Sequence, residues 1–164
     1  MSLASHTSAY LRIIGTKQGS VKGSVASKEH AGQIMVIAFD HEIDSPRDAG
    51  TGQAIGKRIH KPLMITKPVD ASTPVLYEML VTSEIIKVCD ILFWQQKPDG
   101  KESLIYTLKL SDVSISEIHS VLRDTQASSA TPFFVDNVFF TYRKIEWTWM
   151  EGPITASDEF TSGK

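Results

Sequence analysis

The sequence predicts a mainly β chain, folded as a two-sheet sandwich or a small closed barrel with one short α-helix. Three observations carry that prediction. Ile145, Trp147 and Trp149 alternate with Lys144, Glu146 and Thr148, and Val138, Phe140 and Tyr142 carry the same period of two upstream. Leu104, Tyr106, Leu108 and Leu110 alternate with Ile105, Thr107, Lys109 and Ser111, which gives one apolar and one mixed face. Turn-forming residues punctuate these runs at 15–19, 97–100 and 125–132. Many strands with one helix pack as layered sheets, and closure into a barrel removes edges that would otherwise template aggregation.

The elements follow in order. Residues 1–8 are polar and small and read as a flexible tail. Residues 33–42 mix Val36 and Ala38 with polar positions, as a half-buried strand does. A long polar loop follows, and then a short strand at 61–67. The helix spans about 73–81. Ser72 is placed to accept a hydrogen bond from a first-turn amide, and Pro74 sits where a missing N–H costs nothing. Val75, Leu76, Met79 and Leu80 form its apolar stripe, for packing over a sheet or plugging a barrel end. Strands at 85–96 and 102–111 flank Pro98, Asp99 and Gly100, a β-hairpin whose proline presets the turn and whose glycine accepts positive φ. Residues 155–164 are polar and read as a second flexible tail.

Bulk composition narrows the function classes. A chain of 164 residues suits one domain, 1–164, and at that size roughly two-thirds of the unfolded surface is buried without help from disulfides. Hydrophobic residues make up 41% and charged residues 22%, as in an ordinary globular protein rather than a disordered one. A net charge of −2 gives no global attraction to nucleic acid or anionic membrane. The single cysteine, Cys89, lies in an apolar run and reads as a packing residue in a reducing compartment. The start of the chain has no basic n-region followed by an apolar h-region, so a cytoplasmic, leaderless protein is expected.

Candidate chemistry is sparse. Residues 50–58 have glycines and Gly56-Lys57, but a phosphate loop needs glycine where Thr51 stands and Ser or Thr where Arg58 stands. His6, His30, His41, His60 and His119 show no metal-ligand spacing, so no metal and no cofactor is expected. Asp112 and Asp136 read as turn or edge residues, and no nucleophile motif sets a catalytic group. Trp147 and Trp149 share a strand face, with Trp94 in reach; core filling outweighs a carbohydrate platform there. Arg47, Lys57, Arg58, His60, Lys61 and Lys67 form a local basic cluster, open to a solvated face, nucleic-acid contact or acidic groups on a neighbouring copy.

The loop of 44–61 is the feature that points beyond the fold. Its length without regular structure and its Pro and Gly punctuation suggest a functional loop held by a partner. The stretch around it also carries a family resemblance. His41-Glu42, Ser45 to Asp48, Thr51-Gly52, Gly56 to Arg58, His60 to Pro62, Ile65 to Lys67 and Asp70 to Pro74 resemble the tube-forming protein of the bacterial type VI secretion system, Hcp. Tyr10 to Ile13 with Gly15, and Phe140 to Thr148, are similar to that family's opening and closing blocks. The resemblance implies a two-sheet β-barrel with a helix on its flank, acting by assembly rather than catalysis. It implies a homo-hexameric ring, rings stacked into a tube, a VgrG spike at the tip, a contractile sheath around it, and small effector proteins in the lumen. It also implies export from the cytoplasm without a cleaved leader, with no small-molecule substrate and no nucleic-acid partner. Within it, Asp44, Arg47, Asp48, Thr51, Gln53, Lys57, Arg58, His60 and Lys61 are the candidate subunit and ring-stacking contacts. The alternative from another class is a monomeric β-barrel module binding nucleic acid or carbohydrate.

Overall fold

A computed structural model describes residues 6–126 and 133–160. Two antiparallel sheets enclose the core. The larger runs β13 (Ile154–Glu159), β12 (Lys144–Trp149), β9 (Glu102–Ser111), β8 (Ile86–Gln96), β1 (Thr7–Gly15) and β2 (Gly19–Ser20), and β3 (Ile34–Val36) also pairs with β1. The smaller runs β10 (Ser114–Leu122), β11 (Phe134–Thr141), β7 (Leu63–Pro68) and β4 (Ala38–Asp40). A two-stranded ribbon, β5 (Ile43–Asp44) with β6 (Ile59–His60), forms the base of the long loop.

The register shows how alternation becomes a core. Leu11, Ile91, Leu108 and Trp147 line up across β1, β8, β9 and β12, and Ile13, Cys89, Leu110 and Ile145 form the next row. All but the half-buried Trp147 are essentially inaccessible. The facing sheet contributes Leu63, Ile65, Val138 and Phe140, each fully buried. At roughly 1.5–3 kcal/mol per fully buried large apolar side chain, these rows dominate the favourable side of folding. Cys89 is one of them, and burial pushes its thiol well above the ordinary range, so it is inert packing material.

The two sheets meet along one side only. Segment 34–40 pairs first with β1 through β3 and then with β7 through β4, and Ile37 N–H donates to Thr66 O at 2.7 Å where it changes sheet. On the other side β13 and β10 remain separate edges, and the Ile86–Val113 bridge links the layers nearby. The expected closed barrel is therefore an open-sided pair of sheets, because the turn at Asp112 sends β10 into the second layer while β12 takes the place beside β9.

The helix, α1 (Thr73–Val81), lies where the sequence places it, beside β10, with Leu76 and Met79 buried. Its cap differs from expectation. Ser72 makes no side-chain cap; its hydroxyl and its amide both donate to Asp70 Oδ1. The helix ends in a Schellman arrangement, with Ser83 at φ 53, Ser83 N–H to Leu80 O and Glu84 N–H to Met79 O.

Asp136 and Lys67 also depart from the sequence reading. Asp136 is neither at an edge nor in a turn, and Lys67 is not part of a surface cluster. They are a cross-strand pair in β11 and β7, 1% and 0% exposed, with Nζ 2.9 Å from Oδ2. Lys67 also lies 3.1 Å from Asp70 Oδ1, a second carboxylate on a side chain 8% exposed, and reaches Pro68 O and Thr73 Oγ1, and Asp136 accepts from Thr73 and Ser120. Every polar group is met, which is what allows a charge pair at the end of an apolar core. The network fixes the start of α1 to the second sheet.

The chain ends are more ordered than the tails predicted. β1 begins at Thr7, and Ile154–Glu159 pairs along the whole of β12. Of the tails, residues 1–5 and 161–164 lie outside the described residues, as does part of the expected turn at 125–132. The tryptophans separate: Trp147 packs against the core, Trp149 is 44% exposed, and Trp94 lies on the opposite face of its sheet, beside His30.

Candidate assembly surface

The long loop is held by its own chain. Asp48 Oδ1 accepts from the amides of Gly50 and Thr51 at 2.8 and 2.9 Å and from the Thr51 hydroxyl at 3.2 Å. These bonds, the Thr51 amide foremost, hold the Asp48 carboxyl below its usual range. Asp48 N–H donates to Gln53 O, Ile55 N–H to Pro46 O, and Arg47 pairs with Ala54, so 46–55 folds as a small hairpin. Gly52 and Gly56 sit at φ 72 and 80, conformations that most side chains resist. The loop that the sequence suggests is held by a partner is already shaped by hydrogen bonds within its own chain.

Its base is anchored in two ways. Lys61 Nζ lies 2.8 Å from Glu42 Oε1 and 3.3 Å from Asp44 Oδ2; Glu42, then Asp44, raises the lysine pKa. The second anchor is more buried. The His60 side chain is 2% exposed, with Nδ1 2.8 Å from Tyr142 Oη and Nε2 2.6 Å from Asp158 Oδ2. Phe160 meets the imidazole edge-on at 4.0 Å. Arg58 forks onto both oxygens of Asp158 and reaches Glu159 O. Arg58 above all holds the Asp158 carboxyl below its usual range against the desolvation of burial, with His60 adding a smaller pull in the same direction as Arg58; burial and the nearby Asp158 charge push Tyr142 up to about 12.

The nine candidate residues therefore fall into three groups. Asp44 and Lys61 are a solvated ion-pair base, and Arg58 and His60 are a latch turned inward to the end of β13. Arg47, Asp48, Thr51, Gln53 and Lys57 form the tip, of which Asp48 is half-buried and the rest are exposed. Of the six residues in the basic cluster, Lys67 is core, while Arg58, His60 and Lys61 face acids of their own chain. Arg47 and Lys57 have no intrachain acid among the described residues, and beside them Ile55 is 51% exposed. Asp158, Tyr142 and Phe160 escaped the sequence reading. They lie 82 or more positions from His60, and the alternation of Phe140 and Tyr142 signals an inward ring but not what its hydroxyl meets.

His41 closes the inner side of the loop. Trp147 Nε1–H donates to His41 Nε2 at 3.1 Å, which places the imidazole proton on Nδ1, a buried atom with no partner among the described residues. Burial, and then the neighbouring His60, lowers the His41 pKa.

A two-sheet β-domain whose projecting loop is rigid at its root and polar at its tip has the form of a building block. Residues 10–149 match the model of the family described as "Type VI secretion system effector, Hcp". The "Major exported protein" of Pseudomonas aeruginosa strain PAO1 is 34% identical, covering 95% of this chain and 96% of that protein. Among solved structures, Hcp1 from E. coli EAEC 042 is 30% identical with a TM-score of 0.82, over 93% of this chain and 97% of that one. The secreted protein Hcp3 from Pseudomonas aeruginosa is also 30% identical, with a TM-score of 0.77 over 96% and 100%. The chain belongs to the Hcp family. It is a tube protein of type VI secretion, and secretion and ring assembly go with that membership.

Proposed function

We propose that this subunit is a brick of the type VI inner tube whose loop tip makes the contact between copies. Six copies close a ring through a repeated heterologous contact, and rings stack into the tube. Arg47, Asp48, Thr51, Gln53 and Lys57 meet the adjacent copy or the next ring, while Arg58 and His60 set the angle at which the tip projects and Asp44 and Lys61 stiffen its base. The lumen carries small effector proteins, a VgrG spike tips the tube, and a contractile sheath drives it. The subunit is made in the cytoplasm and leaves with no leader removed; its role is structural rather than catalytic.

One observation carries the placement of the contact. A tip whose backbone is satisfied internally, yet which exposes Arg47, Gln53, Ile55 and Lys57, loses little conformational entropy on docking. The features that favoured a monomeric binding module are used elsewhere in the fold: Lys67 is in the core, Arg58 and Lys61 are neutralised, and Trp94 and Trp149 do not share a face.

The test is Arg47→Glu with Lys57→Glu, which leaves the latch untouched. Rings with a mass near six times 18.2 kDa are expected to persist by light scattering, while stacked tubes shorten or vanish in negative-stain images. Tubes of unchanged length from the double variant refute the placement of the contact. A wild-type protein that stays at 18.2 kDa at high concentration refutes assembly itself.

A further inference from the structure

We propose that Glu29, His30 and Glu102 form a binding site for a divalent transition-metal ion, zinc being the best fit, separate from the loop surface. Glu29 and His30 lie on the connection between β2 and β3, and Glu102 opens β9, 72 positions beyond His30. One ligand atom from each residue lies within 4.8 Å of the other two. The separation explains why histidine spacing gives no sign of it.

The imidazole is prepared for a cation. His30 is 3% exposed and cannot swing freely: Tyr10 stacks on it at 4.1 Å and Trp94 meets it edge-on at 4.9 Å. Its Nδ1 lies 3.1 Å from Gln33 Oε1, and with that oxygen as acceptor Nδ1 carries a ring proton. In the neutral ring Nε2 then presents a lone pair, and it faces Glu102 Oε2 at 2.6 Å. Two acceptors at that distance need a positive centre between them. A proton supplies one, and neutralises one carboxylate. A divalent ion supplies a larger charge and draws in Glu29 as well. An outer hydrogen bond that fixes the tautomer, as Gln33 does here, is the usual companion of a metal-binding histidine.

The surroundings leave room for the rest of a coordination shell. A cavity of about 440 Å³ is lined by Glu29, His30, Trp94, Gly100, Lys101 and Glu102. The buried Trp94 Nε1–H has no partner among the described residues, and a donor on that wall suits an oxygen held by the ion. One imidazole and two carboxylates favour zinc, cobalt or manganese over calcium or magnesium, which prefer all-oxygen sites. Ligand atoms around tetrahedral zinc stand roughly 3.3 Å apart, so the His30–Glu102 contact opens slightly as Glu29 closes in. The ion then ties the β2–β3 connection to the turn end of the β8–β9 hairpin.

The experiment uses the full chain, stripped with chelator and titrated with zinc, cobalt or calcium. The unfolding midpoint is expected to rise with the logarithm of zinc concentration, and cobalt to give visible absorption bands. Glu29→Gln, at an exposed position, weakens zinc binding at least tenfold, and Gln33→Ala weakens it through the tautomer. The proposal is overturned if zinc up to millimolar leaves the midpoint unmoved. It is also overturned if Glu29→Gln and Glu102→Gln respond as the unaltered protein does, or if calcium acts as strongly as zinc. If Glu102→Gln fails to fold, Glu29→Gln decides alone.

Discussion

Removing the carboxylate that holds the loop latch, by Asp158→Ala, isolates the contact on which the loop's rigidity rests. Asp158 serves a buried His60 and a solvated Arg58. Water replaces the carboxylate at the half-exposed Arg58, so little is lost there. His60 is different: its Nε2, 2.6 Å from Oδ2 on a side chain 2% exposed, loses its only acceptor, and an unmet buried donor costs about 1–3 kcal/mol. That cost appears as local opening rather than global unfolding, because the latch joins the loop root to the last strand and leaves the central rows of the core intact. Amide hydrogen exchange reads it at two reporters, Phe160 N–H bonded to Arg143 O at 2.7 Å and Lys61 N–H bonded to Glu42 O at 3.2 Å. Exchange there is expected to quicken roughly 5- to 150-fold, the equivalent of about 1–3 kcal/mol. Asp158→Asn keeps an acceptor for His60 and falls between. Acid acts in the same direction. The Asp158 pKa is depressed in the fold, so its contribution is fully present above the ordinary carboxylate range and is lost as pH falls through the depressed value. The latch therefore holds at pH 5 and opens only below about pH 4. Exchange within twofold of the unaltered protein at both amides refutes the latch.

Further expectations follow from other contacts. Lys67→Ala strands the buried Asp136 charge, leaves Asp70 without its lysine, and is expected to cost about 3–5 kcal/mol in urea denaturation, while Lys67→Met with Asp136→Leu and Asp70→Asn recovers most of it; equal losses in the single and the combined variant contradict the pairing. Gly15→Ala places a Cβ 2.0 Å from Glu84 Oε2 and 2.4 Å from Met79 Cε, and both neighbours are buried, so a loss of about 1–3 kcal/mol is expected by thermal or chemical melting. His41 has a lowered pKa, so below about pH 6.5 the unfolded chain takes up a proton that the fold resists, and stability falls as pH falls through that range. His41→Gln keeps an acceptor for Trp147 and is expected to flatten the slope, by at most about 1.4 kcal/mol per pH unit; an unchanged pH profile argues against His41 as its source.

Most of the fold is written locally. Alternation in 104–110 and 138–149 gives the strands and their inner faces, the proline, aspartate and glycine at 98–100 give the hairpin, and Pro74 with the Leu76–Met79 stripe gives the helix. These signals need only neighbours along the chain, because a period of two or of 3.6 reports which face of one element is dry. The family blocks add the assembly role. Whether the sheets close, where Lys67 and Asp136 lie, what holds the loop and which groups converge at His30 depend instead on partners tens of residues distant. Lys67 in a basic stretch looks solvated until β11 brings Asp136 opposite it, and His60 looks like a surface residue until β13 brings Asp158. Periodicity along the chain decides what is buried, but a buried charge or imidazole is tolerated only by the particular oxygen it meets. That oxygen is chosen by strand order, a property of the folded molecule.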